Sequence, residues 1–257
     1  MSRFKHLSLL ALLPLIASCT GLGAKIDIGY MEVQPSGNLA LETGTGGGAP
    51  SLTSNNDIND DLGIADKLDS PYVRAELDLG LFYLTGSGFR VKDEATGQLN
   101  AAFGTIPANT PVDTDMDLQV YKLAATLDLI DIGPVRISPG LAADVILSNT
   151  TVTANAVTVS EDLDGAIPVP MLFLQGEADF GIVDLVLDVG WLDASYSSFS
   201  GEILDIEALA RLKPLGPLEL FVGYRAVVLD LTGESGGDSG RIDLEFKGWM
   251  AGLGLYF

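Results

Sequence analysis

The chain ends in the sequence Trp249-Met250-Ala251-Gly252-Leu253-Gly254-Leu255-Tyr256-Phe257. Every second residue, counted back from the terminal phenylalanine, is apolar, and the residues between are small or mixed. A period of two residues is typical of a β-strand with two different faces. An apolar stripe that ends on an aromatic residue, opposite a glycine-lined face, predicts the closing strand of a membrane barrel. The residues expected to carry that strand are Trp249, Leu253, Leu255 and Phe257. The alternative is the edge strand of a soluble β-sandwich.

The same alternation recurs along the chain. Apolar side chains from Val73 to Tyr83 alternate with Arg74, Glu76 and Asp78. Such a run would extend about 35 Å, which is longer than most strands of soluble proteins. No apolar run reaches the roughly 18 residues that a transmembrane helix needs. The hydrophobic residues are instead spread along the chain in alternating stretches. Counting these stretches predicts about ten strands, or eight if the segment around Phe89 pairs poorly.

The predicted connections alternate between short and long. Pro35-Ser36-Gly37 is expected to end the first strand, which begins at Ala24. Tight turns are predicted near 84–88, 131–134, 181–182 and 214–217, and long loops near 43–70, 92–115, 148–166, 194–202 and 232–241. This pattern is typical of barrels with short periplasmic turns and long outer loops. The predicted fold is therefore all-β: a single closed antiparallel up-and-down transmembrane β-barrel.

The aromatic residues agree with this topology. The alternation places Tyr83, Phe180 and Phe257 at the ends of strands next to short turns. It places Trp191 and Trp249 near the long loops. Two aromatic girdles that flank an apolar band are typical of transmembrane barrels.

The N-terminus predicts export. A basic start is followed by a mostly apolar stretch over 7–15 and then by Ile16-Ala17-Ser18-Cys19. This is too short for a membrane span and predicts a signal peptide. The box before Cys19 resembles a bacterial lipoprotein cleavage site. We therefore predict a lipoprotein-type signal peptide over 1–18, lipidation at Cys19 and a barrel domain over 19–257. The alternative is ordinary cleavage near Ala17 or Ser18.

The charged residues define a predicted lumen. The chain has 14 basic and 35 acidic residues and a formal charge of −21, which excludes nucleic acid as a partner. The charges expected to face the lumen are Arg74, Glu76, Asp78, Asp128, Arg136, Asp144, Glu177, Asp179, Asp184, Asp188, Glu207, Arg211, Glu219 and Arg225. A ten-stranded barrel is too narrow for a wide channel, and buried charges need partners. The sequence favours an internal salt-bridge network. A narrow cation-preferring pore is the alternative, because acids outnumber bases.

Catalytic and metal-binding motifs are largely missing. The only histidine is His6 and the only cysteine is Cys19, and both lie in or next to the leader. The mature chain therefore lacks the residues of Ser-His-Asp catalysis and of the common zinc sites, and we expect neither an enzyme nor a cofactor. Asp57, Asn59 and Asp61 partly resemble a calcium loop. Leucine occupies its sixth and twelfth positions, where glycine and glutamate are needed, so surface solvation is the favoured explanation.

Two segments resemble a known family. The sequence 56–64, followed by 70–77, is similar to a family of small bacterial outer-membrane β-barrel proteins of unassigned function. The stretch from Gly29 to Gly37 and the terminal Gly-Leu-Tyr-Phe fit that family loosely. The resemblance implies an acidic outer segment that leads into the second strand, and it supplies no catalytic residues. A lipidated Cys19 is a departure, because ordinary signal cleavage is expected there.

These observations predict an integral protein of the bacterial outer membrane, with the N-terminus as a second, lipid anchor. The expected role is a structural surface protein or a narrow cation-preferring pore. The alternative is a lipid-anchored periplasmic β-barrel lipoprotein that binds an apolar ligand. Expected partners are outer-membrane lipid and the barrel-assembly machinery, and the protein is expected to be a monomer.

Overall fold

A computed structural model describes residues 23–42, 55–154, 159–196, 199–235 and 238–257. Its ten long strands are β1 (Gly23–Glu42), β2 (Leu68–Asp78), β3 (Phe82–Gln98), β4 (Pro111–Leu127), β5 (Val135–Ala154), β6 (Val159–Asp179), β7 (Val183–Tyr196), β8 (Phe199–Leu215), β9 (Leu218–Ser235) and β10 (Asp238–Tyr256). Two short strands, Asn56–Asp57 and Ile130–Ile132, pair with β1 and β5. Cys19 and the predicted cleavage site lie outside the described residues. Within the described ranges, no helix is long and apolar enough to cross a membrane.

The strands form a closed ring. Each strand is antiparallel to the next, and β10 also pairs with β1, from Lys25 opposite Tyr256 to Glu42 opposite Ser239. At the seam, the Phe257 backbone N–H donates to the Ala24 carbonyl oxygen over 2.8 Å, and the Ala24 N–H donates back over 3.2 Å. A single closed, ten-stranded, up-and-down antiparallel barrel is confirmed, as is the final strand as its closing element.

The turn predicted near 84–88 is wrong. The chain reverses at Leu79–Leu81, where Gly80 has a φ of +87°, and 85–88 lies inside β3. Leu79 and Leu81 continue the apolar alternation through the turn, so the period alone does not mark the reversal. As a result Phe82 faces outward and Tyr83 is buried in the lumen, with 5% exposed. Pro35-Ser36-Gly37 likewise lies within β1 and does not end it.

Most of the predicted long loops are strand. The β5–β6 hairpin pairs as far as Ala154 opposite Val159, and the β9–β10 hairpin as far as Ser235 opposite Asp238. The loops predicted at 148–166, 194–202 and 232–241 are therefore wrong. Strands of 14 to 21 residues are found for β5 to β10, whereas a tilted strand needs only about 9–11 residues to cross a bilayer. The barrel thus continues well beyond the membrane on the loop side.

An apolar belt surrounds the half of the barrel that ends at the short turns. This half is called the lower half, and the side of the longer connections is called the upper side. The large side chains of the belt are strongly exposed, for example Leu123 at 65% and Leu141 at 66%. Exposed aromatic residues mark both margins: Tyr30, Trp191 and Trp249 on the loop side, and Phe180 and Phe257 on the turn side. The nine residues from Trp249 to Phe257 match the length that a bilayer requires. An exposed apolar area of this size is stable only against lipid or another protein.

Above this belt the two faces of the barrel wall exchange character. On β9, Leu220 and Val222 face outward in the belt and Arg225 faces inward. Higher on the same strand, Leu229 is buried inside and Asp230 faces outward. The other strand of this hairpin, β10, shows the same exchange between its tip and Trp249. The barrel therefore has a charged interior at membrane level and an apolar interior above it.

Candidate functional site: an ionic cluster beneath an apolar cavity

At membrane level the lumen is filled by a cluster of buried charges. Among the described residues, eight carboxylates are at most 2% exposed: Asp27, Glu76, Asp144, Asp184, Asp188, Asp205, Glu207 and Glu219. Four cations are equally buried: Arg74, Lys122, Arg211 and Arg225. Burying a charge is costly unless it is paired. The geometry of the pairs therefore decides whether this lumen is stable.

Arg74 and Arg211 share Glu76 as a partner. The Arg74 Nε donates to Glu76 Oε1 over 2.6 Å, and its Nη1 donates to Asp188 over 2.6 Å and also to Glu207. The Arg211 Nη2 donates to Glu76 Oε1 over 2.6 Å and to Asp27 Oδ2 over 2.7 Å. These bonds join strands on opposite sides of the ring through side chains in the lumen.

Arg225 and Lys122 form the upper part of the cluster. Arg225 holds Asp205 with two parallel bonds, Nε to Oδ1 at 3.1 Å and Nη2 to Oδ2 at 2.7 Å. The Lys122 ammonium lies 3.3 Å from Asp205 and 3.6 Å from Glu207. Tyr72 donates its hydroxyl to Glu207 over 2.9 Å. Charge-assisted bonds such as the forked Arg225–Asp205 pair are about twice as strong as bonds between neutral groups.

Other charges predicted for the lumen lie at its lower end. Arg136 pairs with Glu177 and lies 3.7 Å from Asp128. The prediction for Asp78 and Asp179 is wrong: each is the last residue of its strand, beside a turn, where it accepts a bond from the Gly80 or Gly181 N–H group. Turn carboxylates commonly bond the backbone two residues on, so alternation alone overassigned them.

The list of predicted lumen charges missed Asp27, Lys122 and Asp205. All three alternate with apolar neighbours, so the same period signal could have found them. The glycines of the final strand make room for the cluster: a Cβ on Gly254 would lie 2.3 Å from Asp27 Oδ1, and one on Gly252 would lie 2.7 Å from the Phe221 ring. The glycine-lined inner face of the closing strand is thus covered by side chains from its neighbours.

An aromatic layer separates the charges from the apolar interior above. The Arg225 guanidinium lies 5.2 Å from the Phe89 ring centre, and the Lys122 ammonium lies 5.7 Å from that of Phe173. Phe89 in turn contacts Phe246, with the ring centres 6.4 Å apart. Ring faces attract cations, so these aromatic residues contact the upper cations of the cluster and present an apolar surface above it. Within the described residues, the carboxylate oxygens of Asp144 and Glu219 have no hydrogen-bond partner.

Above the aromatic layer is a cavity of about 330 Å³. Its wall is formed mainly by aliphatic side chains: Leu39, Leu118, Ile146, Ile167, Leu229 and Leu244. Three hydroxyl-bearing residues, Thr114, Ser148 and Thr150, lie on one side. The Thr114 hydroxyl is buried and has no hydrogen-bond partner among the residues that the structure describes. Ligand sites are typically apolar pockets of about 300–1,000 Å³ with a few polar groups.

The acidic segment 55–66 covers this cavity. Its side chains Ile58, Leu62 and Ile64 enter the cavity wall. Ile58 N–H donates to the Gly37 carbonyl oxygen of β1 over 3.0 Å, and Ala65 N–H donates to Asp93 of β3 over 2.9 Å. The second outer loop is predicted over 92–115, but only 99–110 lies between the strands, because 92–98 belongs to β3 and 111–115 to β4. The segment 99–110 also covers the barrel, with Leu99, Phe103 and Ile106 fully buried.

The residues that resembled a calcium loop stabilise this cover. Asp57 Oδ1 accepts the N–H groups of Asn59 at 2.8 Å and Asp60 at 2.9 Å, and Asp61 accepts the Asp57 N–H at 2.8 Å. The carboxylates therefore cap a turn of the backbone. Within the described part of the chain, no group of three or more His, Cys, Asp or Glu side chains is arranged to hold a metal ion.

A closed barrel with an apolar belt, two aromatic margins and a charged interior defines an integral membrane protein of the outer-membrane β-barrel class. The outer membrane protease OmpT from Escherichia coli is similar in structure, with a TM-score of 0.55 over 92% of this chain and 96% of that chain, at 10% identity. The translocator domain of autotransporter NalP from Neisseria meningitidis (TM-score 0.41, 13% identity, 96% of each chain) and Ail from Yersinia pestis (0.36, 11%, 91% and 98%) are more distant. No protein-family model and no curated protein sequence matches the chain.

Proposed function

We propose that this outer-membrane barrel binds an apolar ligand in the cavity above its ionic cluster. The proposal rests on one observation: along the height of the wall, the inner and outer faces exchange their polar and apolar character. The interior is charged where the outside meets lipid, and it becomes aliphatic only above the belt, around a cavity of about 330 Å³. A water-filled pore would keep polar side chains along its whole length, whereas this interior is suited to a hydrocarbon.

The unpaired Thr114 hydroxyl specifies the ligand further. A buried hydroxyl without a partner is unfavourable, and Thr114 lies beside Ser148 and Thr150 on an otherwise aliphatic wall. A ligand with one hydroxyl or carboxyl end on a hydrocarbon chain would satisfy it. We expect Thr114→Val to weaken binding of dodecanol about two- to tenfold, the effect of one hydrogen bond, and to leave binding of dodecane unchanged.

Photolabelling tests the proposal directly. The barrel is placed in phosphatidylcholine vesicles, exposed to dodecanoic acid that carries a diazirine, illuminated and mapped by mass spectrometry. Label is expected on Met116, Leu118 and Leu229. Leu229→Trp fills the cavity and should abolish that label, whereas Val228→Trp, its outward-facing neighbour, should retain it. Label confined to the outer belt in the unchanged protein would reject the proposal. Heat-modifiable gel migration verifies that each variant is folded.

A narrow cation-preferring pore is the second candidate. The excess of buried carboxylates over cations favours it, because acidic rings select cations. It requires a continuous water path through side chains that are at most 2% exposed. Single-channel recording from the purified barrel separates the two: steady cation current would support the pore, and its absence with cavity labelling would support the binding protein.

The remaining predictions are part of the same proposal. We expect lipidation of Cys19, contact with outer-membrane lipid, insertion by the barrel-assembly machinery and a monomeric state. A non-enzymatic role also stays a prediction: one structural neighbour is a protease, while the single histidine of this chain is His6. Labelling with a palmitate analogue before and after Cys19→Ala tests the lipid anchor.

A further inference from the structure

One seam of the barrel is incomplete above the membrane. Strands β6 and β7 pair from Asp179 opposite Asp184 to Leu172 opposite Trp191, and the pairing stops there. Above that point β6 still pairs with β5 as far as Val159, and β7 still pairs with β8 as far as Tyr196. Among the described residues, 159–171 of β6 therefore pair with a strand on one side only. We call this gap between β6 and β7 the lateral slot.

Two prolines account for the slot. Pro168 and Pro170 lie in β6, opposite Val145 and Ala143 of β5, and that ladder continues through both of them. Successive residues of a strand direct their N–H groups to alternate sides. Because the β5 ladder is intact, the missing proline N–H groups face β7. Strand β6 thus lacks two donors on the side where a continued ladder would need them, as expected for proline at a strand edge.

The slot begins at the margin of the belt. The last residue of β7 that still pairs with β6 is Trp191. Its side chain is 49% exposed and lies in the aromatic girdle. Unpaired backbone groups are very costly in hydrocarbon, so the free edge of β6 must lie at or above the outer interface. An opening at this height borders the outer interface, where the headgroups of the outer leaflet meet the barrel wall.

The slot leads to the cavity. Gly165 and Ala166 of β6 are both exposed, and both also line the cavity. Ile167 of β6 also lines the cavity. The outward-facing side chains of this part of β6 that lie nearest the membrane are Pro168 and Pro170. The β6 side of this path is apolar, and β7 carries Asp193 and Ser195 on its outer face. The mouth of the barrel is covered by the segments 55–66 and 99–110. There Glu161 of β6 accepts a bond from the Thr105 N–H over 2.7 Å.

We propose that the ligand moves between the cavity and the outer leaflet through the lateral slot. The inference rests on the proposed function and adds its route and source: a single-chain amphiphile that resides in the membrane and enters sideways from lipid. Trp191 lies at the entrance, and the Thr114 hydroxyl receives the polar end inside. The route needs no passage through the ionic cluster.

Closing the slot tests this route. Extending the observed register by two residues would place Pro170 opposite Asp193, so Pro170→Cys/Asp193→Cys can be bridged by a bis-maleimide in a Cys19→Ser background. Leu174→Cys/Val189→Cys, at a position where the strands already pair, is the matched control. Diazirine-dodecanoic acid is supplied within vesicles, and cavity label is measured against time before illumination.

We expect the bridge across the slot to slow cavity labelling at least tenfold, and the control bridge to leave the rate unchanged. Equal rates for the bridged and unbridged slot variant would overturn the lateral route while cavity binding stands. No cavity label in any variant at any time would instead reject the proposed function. Gly165→Trp is an independent block, since a Cβ there meets no atom within 4 Å. An unchanged rate in this variant also counts against the slot.

Discussion

Replacing Arg225 with methionine tests whether the membrane-level lumen is a dry ionic plug. Arg225 is fully buried, holds Asp205 with two bonds of 3.1 and 2.7 Å, and donates to the Ser87 hydroxyl over 3.2 Å. Its removal leaves Asp205 with Lys122 as the remaining cation at 3.3 Å. Breaking a buried pair by removing one partner typically costs about 3–5 kcal/mol. We therefore expect the folded-to-unfolded ratio to fall by about two to three and a half powers of ten.

The chain provides a matched control. Arg90 holds Asp117 in the same forked geometry, with Nε to Oδ1 at 2.7 Å, but its side chain is 48% exposed. Surface pairs contribute little, so Arg90→Met should leave stability nearly unchanged. Urea unfolding in phosphatidylcholine vesicles, followed by tryptophan fluorescence, measures both variants. The reasoning is refuted if the two variants behave alike, or if Arg225→Met loses less than about 1 kcal/mol, because water would then screen the cluster.

Three further outcomes follow from the same structure. Arg74→Ala/Arg211→Ala should convert a silent barrel into a cation-selective one in planar bilayers, because two large side chains leave the lumen and the acids stay; a silent double variant would contradict this. Gly252→Val should fail to close the barrel, since the nearest backbone oxygen lies 2.2 Å from a Cβ there, and the heat-modifiable gel band should be lost. The hydrogen bond from Arg90 lowers the pKa of Asp117, so carbon NMR should show this carboxyl titrating at lower pH than in Arg90→Met. Its small stabilising effect should be complete above the ordinary aspartate pKa of about 3.9 and lost as the pH falls through the lowered value.

The sequence contained a sign of the cavity that simple alternation overlooks. Along β10 the apolar residues occupy even positions from Ile242 to Phe246 and odd positions from Trp249 to Phe257. This change of parity marks where the outer face stops meeting lipid and begins to meet water, because the strand keeps its period of two while the environment changes. The expectation that polar stretches outside the membrane are loops concealed it, and strands were predicted too short.

By itself, the sequence determined the barrel, its closing strand and its apolar belt, because the side of the wall that a side chain faces follows from position parity within one strand. The tertiary structure decided which charges meet. Arg74 and Glu207 lie 133 residues apart, and only closure of the ring brings them across the lumen. It also decided that the acidic segment after the first strand covers an aliphatic cavity and that β6 leaves β7 above Trp191. These features depend on distant strands meeting in a ring, and local periodicity carries no information about that.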